Sequence, residues 1–433
     1  MRGRAVLLHA LQFVSALASS MPSTKSARSL AAEYISWDTN TETRDAVQSM
    51  LDAGDDAGLN KALQNRLEFG TAGLRGPMKF GYNAMNELTV VQATQGLALY
   101  LEQCFGHEAA ASAGVAIGWD HRAAGSLSSE RFALLAAEVL LRRGIRVALL
   151  PGLVHTPLVS YCVRQRSCQA GIMVTASHNP KADNGYKVYW ANGAQIIPPH
   201  DKGIAQCIDA ALAPWCADYG KYTSAAALIL AFGSTKVGDS PIIESHTAAG
   251  ALDLAPSYFE EMRMALCRYP EENAQSPLKI VYTAMHGIGA PWFKRAFEVF
   301  KLPPPISVAA QDAPDPTFPT VAFPNPEEGE GALQLAFETA EEHGARLVLA
   351  NDPDADRLAV AEKLDSDECW RVLSGNEIGA LLADWELVQY QHRCAVAAAA
   401  GKPIKRAAVL STAVSSHMIK ALAEANGCYW YER

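Results

Sequence analysis

Residues 147–175 read VALLPGLVHTPLVSYCVRQRSCQAGIMVT, and this stretch decides the fold. It begins with a short apolar run at Val147–Leu150, which predicts a buried strand. A helical pattern follows at Pro157–Arg164, and a second apolar run occupies Gly171–Thr175. This order of strand, helix and strand is typical of a parallel βαβ unit, because the chain needs a crossover helix to reach the next parallel strand.

The alternation of strands and helices continues on both sides of this unit. Upstream, Gly114–Gly118 is predicted as a strand and Ser129–Arg143 as a helix. Downstream, a second series contains a helix at Ala332–Glu342 and a strand at Arg346–Ala350, and a third series begins with a helix at Glu377–Val388. The pattern predicts an α/β protein built from consecutive mixed α/β domains.

The borders between the predicted domains follow changes in composition. Residues 226–250 are rich in Ala, Ser, Thr and Gly without a clear period, and the alanine run Ala395–Ala400 is predicted as a loop. A single strand–helix step follows that run and cannot bury both of its faces, which predicts an incomplete third domain. The predicted segments are an N-terminal extension (1–26), a first domain (27–225), a linker (226–250), a second domain (251–365) and a partial third domain (366–433).

Composition and charge restrict the class of function. The 433 residues are 49% hydrophobic and 19% charged, as in ordinary globular proteins, and the net charge of −9 argues against nucleic acid or an anionic membrane as main partner. Nine scattered cysteines without a C-x-x-C pair fit reduced thiols and a cytoplasmic location. Residues 1–20 resemble a weak secretory signal, but we favour the alternative that they are a non-native extension.

A serine directly follows the second apolar strand, in the sequence ASHNP at residues 176–180. The Asn-Pro pair forces a turn, and Asp183–Gly185 is predicted as a second tight turn before a returning strand that carries Lys187. Ser177 therefore lies at the sheet edge where open α/β folds bind ligands. Serine needs an activating base or metal, for which His178 and Lys187 are candidates. A structural serine fits the motif as well, whereas the G-x-S-x-G turn of α/β-hydrolases does not.

Three aspartates at alternate positions, Asp352, Asp354 and Asp356, follow the apolar strand of the second series. Their carboxylates can converge, and two unit charges about 4 Å apart repel by about 4 kcal/mol at intermediate dielectric. A divalent cation removes this repulsion, and oxygen ligands favour Mg²⁺. An EF-hand is excluded, because Arg357 and Lys363 replace its required glycine and glutamate. A phosphatase with an aspartate nucleophile and a solvated acidic turn both remain compatible with this loop alone.

These two loops occur with further motifs in a fixed order. The motifs are FGTAGLRG (69–76), TASHNP (175–180), DNGYKVYW (183–190), NGAQII (192–197), HGIG (286–289), FPNPEE (323–328), the aspartate loop and GNEIG (375–379). Together they resemble the α-D-phosphohexomutase superfamily, and in particular its eukaryotic phosphoglucomutase-2/phosphopentomutase branch. The resemblance extends from Leu67 to Met418, and the combination of the serine and aspartate motifs is its specific part.

The resemblance implies a phosphosugar mutase, which is an isomerase that acts as an intramolecular phosphotransferase. Phosphate would move between C1 and C6 of glucose phosphate, or between C1 and C5 of ribose or deoxyribose phosphate, through a phosphoserine and a sugar bisphosphate. The implied cofactors are Mg²⁺ and a 1,6- or 1,5-bisphosphate primer, and the implied partners are small phosphosugars. The implied site consists of catalytic Ser177, Lys187 and His178, phosphate-binding Thr71, Arg75, Gly76 and Arg357, and the metal ligands Ser177, Asp352, Asp354 and Asp356.

The resemblance is incomplete towards the end of the sequence. Members of the superfamily have four domains, with a sugar-recognition loop of G-E-x-S or E-E-A-I-G type in the third and a phosphate-clamping R-x-S-G-T-E-P loop in the fourth. Neither motif occurs here, so we expect two complete domains, a partial third and a missing fourth. Little mutase activity is then expected, because remote binding energy positions the reacting end. The alternative function is a truncated, catalytically weak isoform or fragment that binds magnesium and phosphosugar or acts in protein interaction.

Overall fold

The computed structural model describes residues 25–245, 253–328, 330–364 and 369–432. Its helices are α1 Ala27–Trp37, α2 Thr41–Ala53, α3 Asp56–Leu63, α4 Glu87–Phe105, α5 His107–Ala113, α6 Ser129–Arg142, α7 Thr156–Gln165, α8 His200–Ala210, α9 Ala225–Phe232, α10 Ala255–Leu266, α11 Pro270–Ala274, α12 Gly289–Val299, α13 Glu330–His343, α14 Gly375–Ala399 and α15 Met418–Ala425. Its strands are β1 Leu74–Pro77, β2 Val115–Trp119, β3 Ala123–Ala124, β4 Leu127–Ser128, β5 Val147–Leu153, β6 Ala170–Val174, β7 Asp183–Trp190, β8 Lys236–Val237, β9 Ser240–Pro241, β10 Ile243–Ser245, β11 Ile280–Thr283, β12 Ile306–Ser307, β13 Leu347–Asn351, β14 Leu358–Lys363, β15 Trp370–Val372, β16 Ala408–Ser411 and β17 Tyr429–Glu432. The signal-like pattern of residues 1–20 lies outside the described residues.

A six-stranded mixed sheet organises the first unit, in the order β1-β7-β6-β2-β5-β10. Strands β6, β2, β5 and β10 are parallel to one another. At one edge β7 pairs antiparallel with β6, and β1 pairs antiparallel with β7. Alternate residues of β2 point to opposite faces, as a pleated strand requires. Val115 and Ile117 pack in the cluster that includes helices α4 and α6, and Ala116 packs in the cluster that includes α7. The sheet is therefore covered on both faces, which confirms the α/β prediction.

Polar caps define where the principal helices of this unit begin. The Ser128 side chain accepts a hydrogen bond from the Arg131 backbone N–H at the start of α6. Asn86 and Thr89 exchange side-chain and backbone hydrogen bonds at the start of α4. Each cap satisfies backbone donors that have no partner within the helix and stabilises it by about 1 kcal/mol. The caps thus fix the ends of the two helices that cover one face of the sheet.

A second sheet, in the order β12-β11-β13-β14-β15, organises the second unit. Strands β12, β11 and β13 are parallel, and β14 and β15 continue antiparallel. Helix α13 covers one face through Leu333 and Phe337. Helix α12 covers the other face, where the rings of Phe293 and Tyr282 stack 3.8 Å apart. The aspartate loop lies between β13 and β14, at the carboxyl end of β13.

The third unit is small in the described residues. Strands β16 and β17 form a parallel pair, and helices α14 and α15 pack beside it. Its buried cluster consists of Leu387, Ala423 and Cys428. Several large apolar side chains of α14 are exposed instead, with Leu381 at 62% and Trp385 at 46% of full exposure. This unit therefore has a far smaller core than the two sheets before it.

Three local predictions differ from the structure. The linker predicted at 226–250 is wrong over its described residues 226–245, because α9 and β10 lie there and the buried Ile243 belongs to β10, which joins the first sheet beside β5. The predicted loop at Ala395–Ala400 is wrong because α14 continues to Ala399, consistent with the high helix propensity of alanine. Asp183–Gly185 form the first residues of β7 rather than a turn, because they pair with Arg75–Pro77 of β1.

Two further observations concern the whole of the described chain. None of its helices combines the length and the apolar character that a bilayer crossing requires. All nine cysteines fall within the described residues, and each is a free thiol. Disulfide bonds therefore make no contribution to the stability of this fold, which rests on its buried apolar clusters.

Candidate active site

Ser177 occupies a strained and buried position just after β6. Its backbone has φ +54°, a left-handed conformation that is uncommon for a residue with a side chain. The residue is only 4% exposed, and its N–H donates to Thr175 Oγ1 at 2.9 Å. Its Oγ donates to Asp352 Oδ2 at 2.7 Å, across 175 residues of sequence. The fold thus joins the predicted serine loop of the first unit to the predicted aspartate loop of the second.

The aspartate loop brings its three carboxylates together. Asp352, Asp354 and Asp356 each offer one oxygen, and these oxygens lie within 4.8 Å of one another. The HGIG motif packs closely against the aspartate loop at Gly287. A Cβ on this residue would lie 2.4 Å from the Cα of Pro353. Only a residue without a side chain allows this approach. The geometry therefore explains a glycine that the sequence pattern alone left without a role.

Lys187, on the returning strand β7, neutralises part of this acidic cluster. Its Nζ donates to Asp354 Oδ2 at 2.6 Å and to Asp356 Oδ2 at 3.0 Å. Burial raises the pKa of Asp354, but the adjacent Lys187 ammonium and the hydrogen bonds to this carboxylate, including those from Lys187 and Thr156, together hold the pKa below its ordinary value. Burial, with the charges of Asp354 and Asp356, raises the pKa of Asp352 well above its ordinary value. Arg357 partly opposes this rise through its Nη2, 3.2 Å from Asp352 Oδ2.

The residues of the cluster fit a divalent cation. Asp354 Oδ2 accepts two hydrogen bonds, but Asp354 Oδ1 is buried and has no donor among the described residues. A buried carboxylate oxygen without a partner is costly, and a cation bound at this point satisfies it. The potential metal ligands are all oxygen atoms, from the three aspartates and from Ser177 Oγ beside Asp352. Such a donor set suits a hard cation with a preference for oxygen.

Two other predicted residues lie around the serine. His178 is half-buried, and its Nδ1 lies 3.4 Å from Ser177 Oγ. Burial lowers the His178 pKa, and the positive charges of Arg357 and Arg75 lower it further, so the imidazole is neutral near pH 7. Arg75 reaches the serine loop from β1 by donating from Nη1 to Asn179 Oδ1 at 3.2 Å. Both residues are therefore adjacent to the serine.

Thr71 and Gly76, the other predicted phosphate-binding residues, occupy the same edge of the sheet but differ in setting. Thr71 is exposed, and its carbonyl accepts a hydrogen bond from the Gln195 side chain at 3.0 Å. Gly76 is buried in β1, where it pairs with Asn184. Their phosphate-binding roles remain predictions, because neither makes a described contact that depends on phosphate.

Thr156, a residue of the first unit that no sequence motif marks, binds Asp354. Its N–H donates to the Asp354 carbonyl at 3.0 Å, and its Oγ1 donates to Asp354 Oδ2 at 2.6 Å. The neighbouring His155 stacks on Trp292 of the second unit at 4.2 Å, and burial lowers the His155 pKa to about 3. The ring is thus a neutral aromatic contact at physiological pH. The helix predicted at Pro157–Arg164 begins one residue after Thr156, and the sequence pattern gives Thr156 no role because its partner lies 198 residues away.

Two family models match the chain, and both describe one family. The model named phosphoglucomutase/phosphomannomutase, alpha/beta/alpha domain I, matches residues 66–214. The model for alpha/beta/alpha domain II of the same family matches residues 256–365, and together the two cover more than half of the chain. The chain belongs to the phosphoglucomutase/phosphomannomutase family. This membership confirms the resemblance inferred from the serine and aspartate motifs.

Within the phosphoglucomutase/phosphomannomutase family, three curated relatives are 40–44% identical to this chain over the aligned residues. The human phosphopentomutase is 44% identical over 403 residues, covering 93% of this chain and 62% of that protein. A probable phosphoribomutase of Schizosaccharomyces pombe is 42% identical over 413 residues, covering 93% and 63%. The human glucose 1,6-bisphosphate synthase is 40% identical over 402 residues, covering 92% and 61%. The chain is therefore similar to phosphopentomutases, phosphoribomutases and glucose 1,6-bisphosphate synthases, and it spans about three-fifths of the length of these relatives.

Solved structures of the phosphoglucomutase/phosphomannomutase family share the fold. A family protein from Burkholderia thailandensis superposes with a TM-score of 0.61 at 18% identity, covering 85% of this chain and 66% of that one. The parafusin phosphoglucomutase of Paramecium, in its open form, superposes with a TM-score of 0.58 at 17% identity, covering 84% and 62%. At these identities the likeness establishes the arrangement of helices and strands.

Proposed function

We propose that this chain is a phosphosugar mutase that carries the transferred phosphoryl group on Ser177. The observation that supports this most directly is the buried contact between Ser177 Oγ and Asp352, 2.7 Å apart, in a loop with strained backbone. A serine held against a cluster of carboxylates suits phosphoryl transfer with a metal ion, because transfer depends on positioning and on charge stabilisation. The names of the relatives, phosphopentomutase and phosphoribomutase, favour sugar monophosphates as substrates.

The metal in this proposal is Mg²⁺, held by Asp352, Asp354 and Asp356 with an oxygen on Ser177. When bound, Mg²⁺ supplies positive charge that stabilises the phosphoryl oxygens during transfer. Thr156 holds Asp354 in place by two hydrogen bonds, so the ligand is oriented before the cation arrives. A sugar 1,6- or 1,5-bisphosphate serves as primer, because it can phosphorylate the serine of a newly made chain.

In the proposed reaction the bond between phosphorus and the Ser177 oxygen breaks, and a bond from phosphorus to a sugar hydroxyl forms. The hydroxyl loses a proton and the serine oxygen gains one, so charge and atoms balance. Lys187 is the proposed proton-transfer partner, since it lies buried among the site carboxylates. Arg75 and Arg357, with Thr71 and Gly76, are the proposed phosphate-binding residues. The bisphosphate then returns its other phosphate to Ser177, which completes the isomerisation.

The test is an assay of the purified chain with ribose 1-phosphate and with glucose 1-phosphate, in the presence of Mg²⁺ and glucose 1,6-bisphosphate. We expect slow conversion to the 5- or 6-phosphate, because the phosphate-clamping motif does not occur in the sequence, and we expect this conversion to disappear in Ser177→Ala. The matched control is Ser49→Ala, which removes an exposed hydroxyl that bonds only to the Asp45 carbonyl in the first unit. This control should retain full activity.

Two outcomes would contradict the proposal in different ways. Turnover that survives in Ser177→Ala would refute the phosphoserine and favour an aspartate nucleophile, as in the phosphatase alternative. Phosphorylation of Ser177 by the bisphosphate without any turnover would refute mutase activity for this chain. That second result would leave the alternative function, binding of metal and phosphosugar without efficient catalysis.

A further inference from the structure

Arg122 is a buried arginine that lies beside the proposed active site without touching its carboxylates. It follows the carboxyl end of β2, and only 1% of it is exposed. Arg122 is one of the largest fully buried side chains among the described residues. A guanidinium removed from water is costly unless its N–H groups find acceptors. The partners of Arg122 therefore indicate why the fold keeps a charge there.

The terminal nitrogens of Arg122 bind four carbonyl oxygens of the serine loop. Nη2 donates to the carbonyls of Ser177 at 2.6 Å and Asn179 at 2.8 Å. Nη1 donates to the carbonyls of Pro180 at 2.9 Å and Asp183 at 3.1 Å. The guanidinium is planar and presents its donors in a fixed fork. The loop is thus wrapped around a rigid group, and each of the four N–H bonds of Nη1 and Nη2 has an acceptor.

The guanidinium is itself held in place from two sides. Asp120 accepts the Arg122 backbone N–H at 3.0 Å and the Ser129 hydroxyl at 2.5 Å, and its Oδ2 lies 3.5 Å from Arg122 Nε. The ring of Phe318, from the second unit, covers the guanidinium at 5.3 Å. Arg122 therefore cannot move without disturbing either β2 or the contact between the two units.

We propose that Arg122 is a positioning residue that sets the conformation of the serine loop and thereby directs Ser177 Oγ towards Asp352. The left-handed backbone of Ser177 is unfavourable by itself. The hydrogen bond that Arg122 donates to the Ser177 carbonyl stabilises that conformation. The effect on phosphoryl transfer rests on the proposed function, whereas the effect on the loop does not. Arg122 acts only through backbone carbonyls, so its loss changes where the serine points and leaves every proposed ligand present.

The test compares Arg122→Gln and Arg122→Lys with a matched control, Arg131→Gln. Arg131 also binds two backbone carbonyls, of Gly220 and Tyr222, and a carboxylate in the same unit, but it lies on α6 away from the serine loop. Amide hydrogen exchange of the full chain is measured on peptides covering residues 176–183. We expect Arg122→Gln to lose protection in these peptides and Arg131→Gln to keep it.

A second readout is the rate at which glucose 1,6-bisphosphate with Mg²⁺ phosphorylates Ser177. We expect a fall of about 10²-fold in Arg122→Gln, the scale of a small misplacement of reacting groups. Arg122→Lys should recover part of this loss, because an ammonium group can still bind some of the carbonyls. If Arg122→Gln does not fold, Arg122→Lys carries the same comparison against the control.

The outcomes separate this inference from the proposed function. Unchanged exchange at residues 176–183 in both Arg122 variants would overturn the inference. An equal loss of phosphorylation in the Arg131 control would overturn it as well, since the effect would then be one of general stability. If the wild-type chain takes up no phosphate, the proposed function fails, and the hydrogen-exchange comparison still decides the role of Arg122.

Discussion

Lys187 provides the strongest single test of how the acidic cluster is held together. Its Nζ lies 2.6 Å from Asp354 Oδ2, and the two residues are 4% and 0% exposed. Lys187→Met removes the charge and keeps an unbranched side chain of similar length. Removing one partner of a buried ion pair destabilises a protein by about 3–5 kcal/mol, because the other charge stays buried without compensation. We therefore expect a loss of at least about 3 kcal/mol in the free energy of unfolding of this variant.

The assay is chemical and thermal unfolding with EDTA and again with excess Mg²⁺. For a unit of about 200 residues, a loss of about 3 kcal/mol lowers the unfolding midpoint by about 6–12 °C. Mg²⁺ should restore more stability to Lys187→Met than to the wild type, because the cation replaces the missing positive charge. The matched control is Lys181→Met, which removes an exposed lysine from the same loop region. This control should unfold like the wild type under both conditions.

The pH dependence gives an independent check on the same reasoning. Burial raises the pKa of Asp354, but the charge of Lys187 and the hydrogen bonds to this carboxylate together hold it below its ordinary value. The pair therefore stabilises the fold above the unfolded pKa of an aspartate, about 4, and this contribution is lost as the pH falls below that value. The stability difference between wild type and Lys187→Met should narrow below about pH 4. An equal response of both proteins to Mg²⁺, or equal losses in the two methionine variants, would refute the reasoning.

Three further predictions concern other parts of the structure. Thr156→Val removes a hydrogen bond to the charged Asp354 that contributes about 1.5–3 kcal/mol. We expect Mg²⁺ affinity, measured by calorimetric titration, to fall by roughly tenfold or more. Thr156→Ser keeps the hydroxyl and should retain most of the affinity. Gly287→Ala would bring a Cβ within 2.4 Å of Pro353 and should abolish metal-dependent stabilisation in thermal unfolding while leaving the secondary structure unchanged by circular dichroism. Burial raises the pKa of Asp38 to about 6, so this group stabilises the fold below about pH 4, and that stability is lost as the pH rises through 6. In urea titrations the free energy of unfolding of Asp38→Asn should therefore increase by about 3 kcal/mol relative to the wild type between pH 4 and 7. A stability difference that does not change with pH would contradict this prediction.

The features that could be predicted from the sequence depend on residues that are close together along the chain. The strand before Ser177 and the strand before Asp352 are short apolar runs, and the polar residues after them mark sheet edges. The family membership follows from motifs of this local kind. The catalytic and binding roles assigned to single residues remain predictions, because the position of a residue does not by itself establish what it does in a reaction.

The features that could not be predicted depend on contacts between distant segments. Arg122 meets Ser177 across 55 residues, and Thr156 meets Asp354 across 198 residues. Neither contact produces a periodic pattern in the sequence, because each depends on how strand ends and units are placed in three dimensions. Strand β10 was missed for the same reason, since its partner β5 lies almost 100 residues earlier and its own sequence is short.

The separation of Ser177 and Asp352 by 175 residues has a consequence for synthesis on the ribosome. At roughly 5–20 residues per second, the serine loop leaves the ribosome about 9–35 s before the aspartate loop exists. During this interval the first unit must hold Lys187 without its carboxylate partners Asp354 and Asp356. A nascent chain paused at this stage therefore presents the ammonium group of Lys187 without a counter-ion from the second unit, and an anion such as inorganic phosphate can neutralise it until that unit emerges.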